Sequence, residues 1–380
     1  MRATALSRPL AFGGVLGAFG VLACIGLAGA SASLFAPNVG VAAPDWPGHF
    51  WIQGVIRWDA GWYGYIAKEG YHYTPGVQSP VAFFPVYPLL VRGLVWLGAD
   101  VWLAGIFVSA AFGVLSLALF ARWAQTFVSE DVARKATAVF ALYPFSFFIF
   151  GPMYADSVFL SLALGAFLAL ERQRLGWAAF LGALASGARP IAPAIVVGLL
   201  ARRWEQRRSQ GESLKLSDGV LLFAGAGLLA YAVYLGQAFG DPLAFAHVQS
   251  APGWDQSPGW RTWLKVTWFR ALFPRAAPLV AIRLVGHAVV TLVMLALVVP
   301  IGRRLSWGYA AYVAVAMGLP ALSSKDFMGM GRYALAGFPA FLALSLLLLR
   351  RPEYYRAWLM GGALIWAALV VGFGATGYIS

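Results

Sequence analysis

Charge is what this chain has least of. Asp, Glu, Lys and Arg make up 11% of its 380 residues, against about 25% in soluble domains, while 61% are hydrophobic and the mean hydropathy is +0.73. An ordinary soluble fold is excluded. Cysteine is nearly absent too: Cys24 stands alone, which rules out an intrachain disulfide and a cysteine-built metal site. The four histidines show no metal-ligand spacing, so no protein-held metal and no cofactor is expected. Acids are scarcer than bases, 15 against 28, for a net charge of +13. In a soluble protein that excess would point to nucleic acid; here most basic residues occupy short links between apolar runs, where they act as topology signals.

What is present is a series of apolar runs from Gly13 to Gly374, each near the ~20 residues that a bilayer core requires. The expected architecture is a single-domain, all-α polytopic membrane protein over residues 1–380. The first run, Leu10 to about Leu34, exceeds the ~7–15 residues of a signal-peptide core and is read as a retained span. Basic clusters fall at Arg2/Arg8, Arg122 with Arg134/Lys135, Arg172/Arg174, Arg202 to Lys215, Arg303/Arg304, and Arg350/Arg351/Arg356. Placing all of them in the cytoplasm requires an even number of crossings between neighbours. Segment 81–98 carries Pro85, Pro88 and Arg92, which burden a span, so it is read as surface-lying or re-entrant.

About eleven crossings remain by the positive-inside rule: 11–34, 101–121, 136–151, 155–171, 176–188, 190–201, 219–239, 278–301, 306–322, 333–349 and 357–374. The N-terminus is then cytoplasmic and the unexplained polar residues face the other side. Two outer segments are long enough to carry function, 35–100 with interfacial helices and 240–275. The stretch "RRWEQRRSQGESLK" reads as a solvated loop on the cytoplasmic side.

Within the first long segment, "VIRWDAGWYGYIAKEGYHYT" sets one carboxylate, Asp59, among aromatic rings. Read as a helix, Val55, Trp58, Trp62, Tyr65 and Ile66 share one face and Arg57 and Lys68 the opposite one. Such a helix would lie in the interface. An acid in so dry a setting suits general-base work on a hydroxyl; the structural alternatives are a helix cap or a surface pair with Arg57. Asp156 in "MYADSVF", Arg189 in "SGARP" and Arg332 in "GMGRYAL" sit at the same outer edge. Ionisable residues there are functional candidates by default, and four of both signs on one side imply a shared cavity. Each also has a structural reading: an N-cap for Asp156, helix anchoring for the arginines.

"RWDAGWYGYIAKEGYHY" followed by "AFFPVYPLL" resembles the first-loop signature of the GPI mannosyltransferase 2 (PIG-V) family. "ALYPFSFFIFGPMYADSVF" is similar to that family's next block, with Tyr143 where Asn is usual and Ala155-Asp156 where Ser-Glu is usual; "SGARP" and "GRYALAGFP" resemble later blocks. The resemblance implies a GT-C-type inverting glycosyltransferase that moves a sugar, typically mannose, from a polyprenyl-phosphate donor to a glycolipid or glycoprotein acceptor on the non-cytoplasmic face. It does not carry over the GPI acceptor.

Inverting displacement needs a base and compensation for the departing phosphate. Asp59 is the expected base. Arg189 and Arg332 are the expected phosphate ligands, since a guanidinium holds phosphate oxygens through paired hydrogen bonds. Arg57, Trp58, Trp62, Tyr63, Tyr154, Asp156, Asp255 and Arg261 are expected around sugar or acceptor. His72 and His247 are open as acid/base groups, and Lys325 with Asp326 is read as a surface pair. The rival class is a transporter or lipid flippase with acidic coupling residues, which would be expected to place charges near mid-span and to show paired broken helices.

Overall fold

The structure, a computed structural model, describes residues 2–36, 50–273 and 276–379. Every regular element among them is helical. Six helices are long and apolar enough to cross a membrane by length and composition: Arg8–Phe35, Val101–Ala124, Leu216–Phe239, Pro278–Arg304, Met330–Leu348 and Pro352–Gly374. The chain is therefore a helical polytopic membrane protein. Val86–Trp96 and Leu175–Ser186 are shorter apolar helices. Residues 37–49 of the first long segment lie outside the described residues.

Local chemistry sets the helix starts. The Asp100 carboxylate accepts from the N–H groups of Trp102 and Leu103 at 2.9 and 3.0 Å, satisfying donors that have no partner in the first turn. Ser306 does the same for Trp307–Ser323. Small residues let two long helices meet: a Cβ on Gly13 would stand 2.4 Å from the Leu117 carbonyl, and one on Gly17 2.8 Å from Val114 Cα. This spacing of small residues is what close helix contact in lipid requires.

Three expectations change. The span at 136–151 is two pieces, the helix Glu130–Ala141 and the 3-10 turn Pro144–Ile149, because Pro144 has no N–H with which to continue an α-helix. The "RRWEQRRSQGESLK" stretch is not a solvated loop. Its first eight residues finish the helix Ala192–Ser209, and Arg203 and Arg207 are buried against Asp218, which accepts from their Nε atoms at 2.7 and 3.1 Å. Third, the opening helix does not begin at Val55: it runs from Ala60 to Glu69.

Two ends of the helix array differ in chemistry. At one, Arg202 pairs with Glu171 and Glu205, Tyr309 donates to Glu171, and Glu205 accepts the Trp307 N–H. Arg122, Arg172 and Arg174 gather around one cavity nearby in the chain. The other end holds Asp59, Asp156, Arg189 and Arg332. The helix Asp156–Glu171 connects the two, and its 16 residues span roughly 24 Å at 1.5 Å per residue.

Candidate active site

Four segments far apart in sequence deliver four charges to one place. Arg332 donates through a terminal nitrogen to Asp59 Oδ2 at 2.8 Å, and its Nε lies 3.9 Å from Asp156 Oδ2. Arg189 pairs with the other oxygen of Asp156. The result is an alternating chain, Asp59–Arg332–Asp156–Arg189, in which each interior charge touches two of opposite sign. Exposure is graded along it: the side chains are 26% exposed at Asp59 and 14% at Arg332, but 10% at Arg189 and 3% at Asp156. Asp59 is the open member.

The Asp59 turn is built from below. Tyr154 is buried, and its hydroxyl accepts from the Asp59 N–H and donates to the Arg57 carbonyl, both at 3.3 Å. Arg57 is also buried, its guanidinium donating to the Gly374 carbonyl at 2.9 and 3.2 Å. The expected solvent-facing position of Arg57, opposite the aromatic face, is thus incorrect. Those residues precede the helix and obey no helical periodicity. Trp58 takes the left-handed conformation, φ +53°, which costs roughly 1–2 kcal/mol for a residue with a side chain. Its indole N–H reaches the Gly377 carbonyl at 3.2 Å and its ring packs edge-on against Tyr378. The end of the chain thereby holds the turn that carries the acid. Asp59 makes no side-chain cap bond, and it pairs with Arg332, not Arg57.

Arg332 sits in the short turn Met330–Tyr333, entered through Gly329 at φ +84°. The Gly331 N–H donates to His287 Nδ1 at 2.9 Å, and the Gly331 carbonyl accepts from the Tyr143 hydroxyl at 2.8 Å. A Cβ at Gly331 would fall 2.5 Å from the Phe145 ring, so any larger residue would have to displace that ring. The guanidinium then lies 5.0 to 5.4 Å from the ring centroids of Tyr154, Tyr333 and Phe148, within cation–π range. Its Nε is buried without a hydrogen-bond partner among the described residues.

Asp156 is the first residue of its helix and makes no capping bond; Arg189 takes its carboxylate instead. Position still favours it, since the helix N-terminus carries partial positive charge. Tyr63 is buried against Phe83, Tyr87 and Tyr154. Burial, and next the Asp59 charge, push its hydroxyl above the ordinary phenol value.

No family model, no curated protein and no solved structure matches the chain.

The other expected residues divide between cover and periphery. Trp62 stacks on Phe83 and meets Trp254 edge-on at 6.0 Å, so the second long segment lies against the helix that follows Asp59. Gln78 donates to the Pro252 carbonyl at 3.1 Å, joining the two segments again. Asp255 and Arg261 are exposed, with Arg261 over the Trp260 ring. The expected Lys325–Asp326 pair is not formed. Lys325 contacts Asp255 at 3.4 Å and the Trp254 carbonyl at 3.1 Å, while Asp326 accepts the Met328 N–H. Lys265 donates to the carbonyls of Ala321 and Ser324 at the end of Trp307–Ser323, a cation where the helix dipole favours one. These bonds tie segment 240–275 to the stretch leading to Arg332. His247 pairs with Asp241 at 2.7 Å, and His72 packs against Tyr65. Among the described residues, no three His, Cys, Asp or Glu side chains are grouped to hold a metal ion.

Residues that reading the sequence missed are the supports: Tyr143, His287, Gly331 and Gly374. Only Tyr143 carried a signal, as a departure from the asparagine usual in the resembling family. The others act through contacts that sequence spacing does not reveal.

Proposed function

We propose that the protein is an inverting, GT-C-type glycosyltransferase that moves a hexose, most simply mannose, from a polyprenyl-phosphate donor to a hydroxyl of a membrane-linked or envelope acceptor on the non-cytoplasmic face. The observation that carries this reading is the alternating chain of two aspartates and two arginines with Asp59 at its open end. The Asp59 carboxylate takes the acceptor hydroxyl proton as that oxygen attacks the anomeric carbon. The bond from that carbon to the phosphate oxygen breaks on the opposite side, and the lipid phosphate leaves with one more negative charge. Arg332 and Arg189 offset that charge.

The resting pairs add a control. Arg332 is shared between Asp59 and Asp156 and keeps an unused Nε donor. A donor phosphate that draws this guanidinium towards itself loosens its hold on Asp59, and a carboxylate released from its cation is a stronger base. Donor binding would thus prepare the base. Arg57 and Tyr154, whose polar groups are engaged with main chain, serve this reading as supports of the Asp59 turn; Trp62, Trp254 and Asp255 are better placed to meet sugar or acceptor. A transporter is favoured less, since the four charges occupy helix starts and turns at one end of the array.

The test offers purified protein polyprenyl-phosphate mannose and GDP-mannose separately with a membrane glycolipid extract. Transfer from the lipid donor alone is expected; transfer from the nucleotide with no lipid intermediate would overturn the donor assignment. Arg332→Lys keeps the charge and loses the planar fork. Loss of a charge-assisted bond worth ~1.5–3 kcal/mol predicts about a tenfold to hundredfold lower kcat/KM for the lipid donor.

Orientation has its own test. Ser79 is buried, whereas Val77, Ser257 and Gln210 are exposed. In a Cys24→Ser background, cysteines at Val77 and Ser257 should react with an impermeant maleimide added to intact cells, and one at Gln210 should not. The reverse pattern would put the acid chain in the cytoplasm.

A further inference from the structure

The arginine-rich end holds a feature that the proposed chemistry does not use. A cavity of about 290 Å³ is lined by Leu10, Leu119, Leu168, Leu181 and Trp177 together with Arg122, Arg172 and Arg174. Its walls come from the first helix, the end of Val101–Ala124, the end of Asp156–Glu171 and the start of Leu175–Ser186. It lies roughly 24 Å from Asp156 by helix rise, well away from the candidate active site.

Its charge is uncompensated. No carboxylate pairs with Arg122, Arg172 or Arg174 among the described residues, and the neighbouring Glu171 is held by Arg202 and Tyr309. The Arg122 Nε is buried and has no hydrogen-bond partner among the described residues, while Nη1 of the same side chain donates to Gln125 Oε1 at 3.5 Å. Arg172 and Arg174 are exposed and Arg122 is half-buried, and three guanidinium groups lining one leucine-walled cavity gain from an anion that also has an apolar part. Leu10, Trp177 and Phe180 are exposed beside the cavity, continuing the apolar surface outward from it. A cavity at the small end of the ~300–1,000 Å³ range of ligand sites takes a head group and the first carbons of a chain, the remainder lying along that surface in the bilayer.

We propose that this cavity binds an anionic phospholipid, with the phosphate on Arg122, Arg172 and Arg174 and an acyl chain along Leu10, Leu119 and Leu181. A basic rim alone attracts anionic membranes diffusely; the buried, unpaired Arg122 nitrogen and the leucine walls make this a site for one molecule.

The experiment delipidates the full-length protein and measures retention of dioleoylphosphatidylglycerol and dioleoylphosphatidylcholine by native mass spectrometry. Wild type is compared with Arg172→Gln/Arg174→Gln and with the triple variant that adds Arg122→Gln. The expected result is about a tenfold preference for the anionic lipid, as a few surface cationic contacts supply, lost in the triple variant. Equal retention of the two lipids, or unchanged retention by the triple variant, overturns the proposal. Displacement of phosphatidylglycerol by millimolar inorganic phosphate would assign the site to free phosphate and overturn the lipid. Should the arginine variants fail to fold, lipid brominated on the acyl chain supplies the second measurement. Brominated phosphatidylglycerol should quench wild type more than Trp177→Phe, and brominated phosphatidylcholine should quench both alike. Equal quenching of the two proteins by phosphatidylglycerol also overturns the site.

Discussion

Asp59→Asn is expected to lower sugar transfer about 10²–10⁴-fold, the range a positioned general base contributes, with the protein still inserted and monodisperse. The amide keeps the shape of the side chain and can still accept from Arg332, so the 2.8 Å contact has a substitute. What it cannot do is take a proton. Arg332 also faces Asp156 at 3.9 Å, so neutralising Asp59 does not leave that buried cation without an anion. The measurement is the initial rate with polyprenyl-phosphate mannose, beside a thermal melt in detergent. Near wild-type turnover would falsify the assignment of Asp59 as base. A large fall in melting temperature with the rate lost would instead make Asp59 a structural partner of Arg332.

Asp156→Ala is expected to act the other way, on stability first. The Asp156 side chain is 3% exposed and faces two guanidinium groups, those of Arg189 and Arg332. Its removal leaves the buried Arg189 without its anion while Arg332 keeps Asp59, and breaking a buried pair by deleting one partner costs about 3–5 kcal/mol. Arg189→Leu alone should cost somewhat less, because it removes the hydrogen-bonded partner of the buried Asp156 and leaves it the longer 3.9 Å contact with Arg332. The double variant Asp156→Ala/Arg189→Leu should be more stable than the sum of the single losses, because neither charge is then left behind. Equilibrium unfolding of the four proteins in one detergent reads the coupling. Additive losses would show that the pair is not a unit and would remove the physical reason for placing Asp156 inside the chain of charges.

The legible part of the site was its charge list, and the illegible part was its wiring. Asp59, Asp156, Arg189 and Arg332 stand out because ionisable residues next to apolar runs are rare and expensive, and hydropathy is a local property of sequence. Which carboxylate meets which guanidinium depends on side chains up to 273 positions apart, and no periodicity reports that. Arg57 shows the limit well. A helical wheel puts it on the polar face, but the helix starts three residues later at Ala60, and the side chain turns inward to Gly374. The Arg203–Asp218–Arg207 cluster failed for the opposite reason. A run of charges reads as solvated until a carboxylate from the next element arrives to pair it.

By itself the sequence determined that the chain is helical and polytopic, where most of its long apolar helices lie, and which charges need an explanation. Composition and hydropathy settle these because the bilayer imposes one rule on every residue within it: polar backbone must pair within its own segment. Tertiary structure alone decided that two acids and two arginines form one alternating chain with Asp59 open, that Tyr154, Tyr143, His287 and Gly374 hold its turns, and that three arginines at the far end line one open cavity with leucines. Each of these rests on contacts between elements distant in the chain, and such contacts exist only once the helices have packed.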